Sequence, residues 1–81
     1  MTREEVFEKL NTVFRENFDD DEINLTDSTS SADIEDWDSL EQINLVVAIQ
    51  DTFGIKFNID EANAMKNVCE MADAILEKTG E

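Results

Sequence analysis

Side chains able to do chemistry are few in this sequence, and nearly all are carboxylates. The 81 residues include no histidine, a single cysteine (Cys69) and 21 Asp or Glu. Without histidine neither a Ser-His-Asp nor a Cys-His arrangement can be assembled, so no catalytic residue is expected. One cysteine and no histidine also leave no zinc ligand set. The acidic run at residues 19–22 raises calcium, but an EF-hand loop needs a glycine at its sixth position and a glutamate at its twelfth. Counting from Asp19 those positions hold Asn24 and Ser30, and from Asp21 they hold Thr26 and Ala32, so no metal site is expected. Cys69 has no basic cluster evident to depress its pKa and reads as a small packed side chain.

What remains is a serine. Ser39 stands between Asp38 and Leu40 at the opening of an apolar-rich helical stretch. Helix amides and the helix dipole favour a negative group there, which suits a phosphate ester. The same placement is common for serines with no chemical role. Spacing alone leaves both readings open.

The elements that must position Ser39 read as an all-α chain. Residues 2–18 form a first helix: Thr2 and Glu5 have capping-box spacing, and Val6, Leu10, Val13 and Phe14 recur at helical intervals. Residues 19–36 are a long polar connection, punctuated by Ile23, Leu25, Ile34 and Trp37, which are expected to pin it to the core; a short helical turn within it is open. The second helix is predicted over Ser39–Phe53, with Asp38 as its cap, Glu41 at the third helical position and Gly54 as its left-handed terminator. Asp60 is expected to cap a brief third helix ending at Met65. Asn67 and Glu70 repeat the capping spacing before a fourth helix over Val68–Lys78, with Gly80 beyond it and Val68, Met71, Ala72, Ile75 and Leu76 facing inward. The expected architecture is a small four-helix bundle, three long helices and one short, in a single domain covering residues 1–81.

Charge narrows the partners. Six basic residues against 21 acidic ones give a formal net charge of −15. Such a surface repels nucleic acid and anionic lipid and favours basic protein partners. The longest apolar stretch, Leu45 to Ile49, is too short to cross a bilayer, and stable membrane insertion is not expected. With Met1 in place, no apolar leader after it and one unpaired cysteine, the expectation is a free-standing cytoplasmic monomer.

The second helix carries two apolar stripes. At about 100° per residue, Leu45, Val46, Ile49 and Phe53 share a core face, while Leu40, Ile43 and Val47 gather on average about 140° away or more. A bundle helix normally needs one stripe. Either the long loop covers the second, with Ile43 nearest the core face, or it is a docking patch rimmed by Glu41 and Asp51 for a basic partner.

With Asp38-Ser39-Leu40 followed by Glu41-Gln42-Ile43-Asn44-Leu45-Val46-Val47-Ala48-Ile49 and the turn at Gly54-Ile55, the sequence resembles the acyl carrier protein family over nearly its whole length. The resemblance implies that Ser39 bears a covalent 4'-phosphopantetheine, installed from coenzyme A by a magnesium-dependent phosphopantetheinyl transferase. The arm's thiol would hold acyl groups as thioesters for acyl-loading and acyl-transferring enzymes of fatty acid, polyketide or other specialised biosynthesis. It makes Asp38 the motif aspartate, Leu40 the docking leucine, and Glu41, Ile43 and Val47 partner contacts. It also makes Leu45, Ile49 and Phe53 core positions beside which a carried chain could lie. Trp37 stands where a small residue is more usual and reads as a loop anchor, with a gate beside the arm as the other reading. Gln42, Asn44 and Gln50 make the helix less acidic than in fatty-acid carriers, and the run from Trp37 to Leu40 looks more like specialised bacterial carriers. The competing reading is an unmodified acidic helical adaptor, for which Ser39 is dispensable.

Overall fold

Every helix begins where a short side-chain oxygen takes up an amide that the helix itself cannot satisfy. In the computed structural model, which describes residues 2–34, 36–65 and 67–79, the helices are α1 (Arg3–Phe18), α2 (Ser39–Phe53), α3 (Ile59–Ala64) and α4 (Val68–Lys78). Thr2 accepts from the Glu5 amide at 3.1 Å, Asp38 from Glu41 at 2.9 Å, Asn58 from Glu61 at 2.7 Å and Asn67 from Glu70 at 2.8 Å. In α1 and α3 the glutamate reaches back to the cap's own amide, completing a capping box. Those amides hold the Glu5 and Glu61 carboxyls below the usual carboxylate range, with Lys78 adding to the effect at Glu61.

The cap of α3 corrects the sequence reading. Asn58 rather than Asp60 starts the helix, because its amide oxygen and Glu61 satisfy each other's backbone partners. Asp60 sits inside the first turn, and Met65 follows α3 outside helical geometry. Gly54 ends α2 at φ 67°, as its position predicts, and Asp19 ends α1 at φ 52°. Gly80, placed beyond α4, lies outside the described residues.

The core fills from three helices. Val6, Leu10 and Phe14 of α1, Leu45 and Ile49 of α2, and Met71 and Ile75 of α4 are fully buried. Phe53 and Leu76, both expected inside, are half-buried against this core. The loop between α1 and α2 is pinned as its apolar residues predict. Leu25 and Trp37 are buried, and the Trp37 ring meets Phe14 edge-on, with centroids 5.2 Å apart. Polar ties do as much. Asn11 accepts from the Leu25 amide at 2.8 Å, Arg15 donates to the Ile23 carbonyl at 2.8 Å, and the Val68 amide donates to the Thr29 carbonyl at 2.9 Å. Arg3 bridges Asp27 of the loop at 2.7 Å and Asp73 of α4 at 2.6 Å. Among the described residues of this loop the short helical turn left open takes the form of isolated turns, such as those closed by the Asp33 amide on the Ser30 carbonyl and the Trp37 amide on the Ile34 carbonyl.

Candidate functional site

Ser39 is the first residue of α2 and is exposed. The chain reaches it from Trp37, fixed in the core, through Asp38, whose extended backbone and capping carboxylate set the helix start. Two residues, one of the loop and one the cap, therefore convert core packing into a defined position for one hydroxyl. By helix geometry the Ser39 and Leu40 amides have no carbonyl within the helix to reach, so this end of α2 carries partial positive charge.

A cleft of about 550 Å³ opens beside the serine, lined by Ser31, Trp37, Asp38, Ser39, Gln42, Ile43 and Asn63. Its walls mix amide and hydroxyl groups with the edges of Trp37 and Ile43. An exposed primary hydroxyl at a helix start, with open space beside it, fits attachment of a phosphodiester-linked arm. Asp38 precedes the serine and caps its helix through the Glu41 amide, and Leu40 stands next to it, 67% exposed.

The second stripe of α2 is in solvent. Leu40, Ile43 and Val47 are 67%, 61% and 51% exposed, so the loop does not cover them. Asp51 is exposed on the same helix; Glu41 is half-buried and accepts a 2.8 Å hydrogen bond from Asn44. A further exposed apolar residue that sequence reading missed is Ile59, at the start of α3, which is 78% exposed. Its spacing to Ala62 gave no signal, since the same interval would suit an inward position.

Gln42 was legible only as a departure from an acidic pattern. The structure shows it as a tie between elements. Its carbonyl oxygen accepts from the Trp37 indole at 2.6 Å, and its amide nitrogen donates to the Ala62 and Met65 carbonyls at 2.9 and 2.7 Å. Its place three and seven residues before Leu45 and Ile49 on the core stripe signals only that a polar side chain there needs partners, not which ones they are. Gln50 works similarly, accepting from the Phe57 amide at 2.8 Å. Trp37 is the anchor the sequence favours.

Among the described residues no lysine or arginine lines this cleft. Arg3 and Arg15 tie the loop, Lys9 lies 5.6 Å over the Phe53 ring, and Lys78 pairs with Glu61 at 3.0 Å. Among the described residues no group of three or more His, Cys, Asp or Glu is arranged to hold a metal ion, and no helix is long and apolar enough to cross a membrane. Cys69 is half-buried, 3.4 Å from an Arg3 nitrogen and distant in the chain from Ser39.

Comparison with known proteins gives one answer. The phosphopantetheine attachment site family matches residues 8–75. The chain is 29% identical over 80 residues to an acyl carrier protein of Lactobacillus acidophilus, covering 99% of this chain and 100% of that one. It is 32% identical over 78 residues to one of Guillardia theta, covering 96% of each. In structure it is similar to a holo acyl carrier protein from Geobacter metallireducens solved by NMR, with a TM-score of 0.82 and 43% identity over 89% of this chain and 83% of that one.

Proposed function

The chain belongs to the acyl carrier protein family, and from that premise we propose that Ser39 is the residue that bears its phosphopantetheine arm. The protein is a carrier and not an enzyme. The observation that supports Ser39 is its position: an exposed hydroxyl at the first residue of α2, beside an open cleft and held by a buried Trp37 two residues earlier.

In the loading reaction Ser39 Oγ forms a bond to the phosphorus that carries pantetheine. The phosphoanhydride bond of coenzyme A breaks, adenosine bisphosphate leaves, and the hydroxyl proton passes to a base. The chain has no histidine, and the Asp38 carboxylate is held by the Glu41 amide at 2.9 Å, so the transferase must supply that base. The thiol of the arm then supplies the thioester chemistry, and the chain's own residues position and present it. Tethering raises the effective concentration of cargo at any enzyme that docks.

Leu40, Ile43 and Val47, with Glu41 and Asp51 beside them, form the docking face for the transferase and for acyl-handling enzymes with basic surfaces. Apolar contacts there supply affinity, and the net charge of −15 speeds encounter. The single domain acts as a cytoplasmic monomer in fatty acid, polyketide or another specialised biosynthesis.

Intact mass tests the attachment site. Incubation with coenzyme A, magnesium and a broad-specificity phosphopantetheinyl transferase should add one phosphopantetheine increment to the wild type and none to Ser39→Ala. An increment retained in Ser39→Ala refutes the assignment. No increment in folded wild type, with the transferase active on a control carrier, leaves the unmodified adaptor in its place.

A further inference from the structure

Gln42 makes three hydrogen bonds that join three separate pieces of chain. Trp37 belongs to the loop, Gln42 to α2, and the Ala62 and Met65 carbonyls to the end of α3. Those carbonyls are among the ones a helix terminus leaves without an internal partner, so the Gln42 amide completes α3 as well as holding it. At the opposite end of the same seam, Gln50 accepts from the Phe57 amide. The short helix is thus stitched to α2 at both ends by neutral amides, and the Gln42 stitch lines the cleft beside Ser39.

A group tethered at Ser39 has two places to go: outside the bundle, or between α2 and α3 toward Leu45 and Ile49. The inward route parts Gln42 from its partners and leaves an indole N–H and two carbonyls in a partly buried site. Each such orphan costs more than one buried methylene returns, so a short chain gains nothing by entering. Behind the stitch, Leu45, Ile49, Met65 and Val68 are closely packed and at most 3% exposed. Outside, the cleft places Ser31, Asp38 and Asn63 alongside Trp37 and Ile43, a mixed lining open to solvent in which a short group can rest without parting Gln42 from its partners.

We propose that Gln42 is a specificity-determining residue, which keeps the seam between α2 and α3 closed and so directs the carrier to short acyl groups held outside the bundle. The inference rests on Ser39 as the attachment site. A glutamate at position 42 would still accept from Trp37 but would turn a carboxylate toward two carbonyls; only the amide serves both sides.

The test uses wild type and Gln42→Glu, each converted to the holo form, checked by mass and loaded with acetyl, hexanoyl or decanoyl groups. Melting temperature and the Trp37 indole NMR signal are followed. In wild type both should stay constant along the series. In Gln42→Glu the decanoyl form should melt about 5 °C or more above the acetyl form, as a chain buried in an opened seam stabilises a domain of this size. Gln42→Met, similar in length and uncharged, replaces Gln42→Glu if the latter does not fold. A wild-type melting temperature that climbs with chain length overturns the inference, as does a variant as insensitive as wild type. Absence of the phosphopantetheine increment at Ser39 is a separate failure, that of the attachment reading, and removes the premise with it.

Discussion

Helices α2 and α4 start alike and use their apolar residues differently. Both are capped by a side-chain oxygen that accepts the amide of a glutamate three residues on, and both bury a stripe against α1 or its neighbours. Helix α4 keeps Val68, Met71, Ala72 and Ile75 on one buried side. Helix α2 buries Leu45, Val46 and Ile49 but also leaves Leu40, Ile43 and Val47 in water. A helix that only packs needs the first stripe. The second is hydrated in the free protein, and on the proposed function it would gain stabilisation only when a partner covers it. The contrast separates residues that make the bundle from residues that we propose as its docking face.

The largest effect should come from the stripes that the two helices share. Ile49→Ala in α2 and Ile75→Ala in α4 each delete a fully buried side chain and should each cost about 2–5 kcal/mol in urea unfolding. That is most of the stability expected of a domain this small. A loss well under that range for Ile49→Ala alone would mean that α2 is held mainly by its polar stitches, and the comparison would break.

The caps sharpen it further. Asp38→Ala and Asn67→Ala each free one amide at a helix start, and each should cost about 1 kcal/mol. Only Asp38→Ala should also slow phosphopantetheine loading, because it loosens the residue before Ser39. Rates compared on folded protein decide this. Equal loading in both variants would show that Asp38 is a cap like any other.

Much of this was legible in the sequence, for physical reasons that also explain the gaps. Helix ends were readable because capping chemistry is local: Thr2, Asp38 and Asn67 were found from spacing alone, and all accept the expected amide. The Asn58 cap was missed because Asn58 and Asp60 are both good caps, and only the closure of the Glu61 box distinguishes them. The core face of α2 followed from periodicity. Whether its opposite face was covered did not, since coverage depends on where a loop of irregular backbone travels. The role of Gln42 needed coordinates, because its partners Ala62 and Met65 act through backbone carbonyls, which carry no residue-type signature.

The smallest effect on stability belongs to the stripe that marks α2 as a presenting helix. Leu40→Ala, Ile43→Ala and Val47→Ala should each change unfolding free energy by no more than about 0.5 kcal/mol, since these side chains already face water. Their effect should appear in docking instead. Leu40→Ala, next to Ser39, should weaken binding to the transferase by more than about 1 kcal/mol, chiefly through faster dissociation. Glu41→Gln and Asp51→Asn should act on the other rate, lowering association at low salt and losing that effect as ionic strength screens the charge. The two classes of variant therefore divide the docking face by kinetics: apolar contacts hold the partner, and acidic ones bring it in. If Leu40→Ala instead lowers stability as Ile49→Ala does and leaves dissociation unchanged, the second stripe is part of the core, and α2 is a packing helix of the same kind as α4.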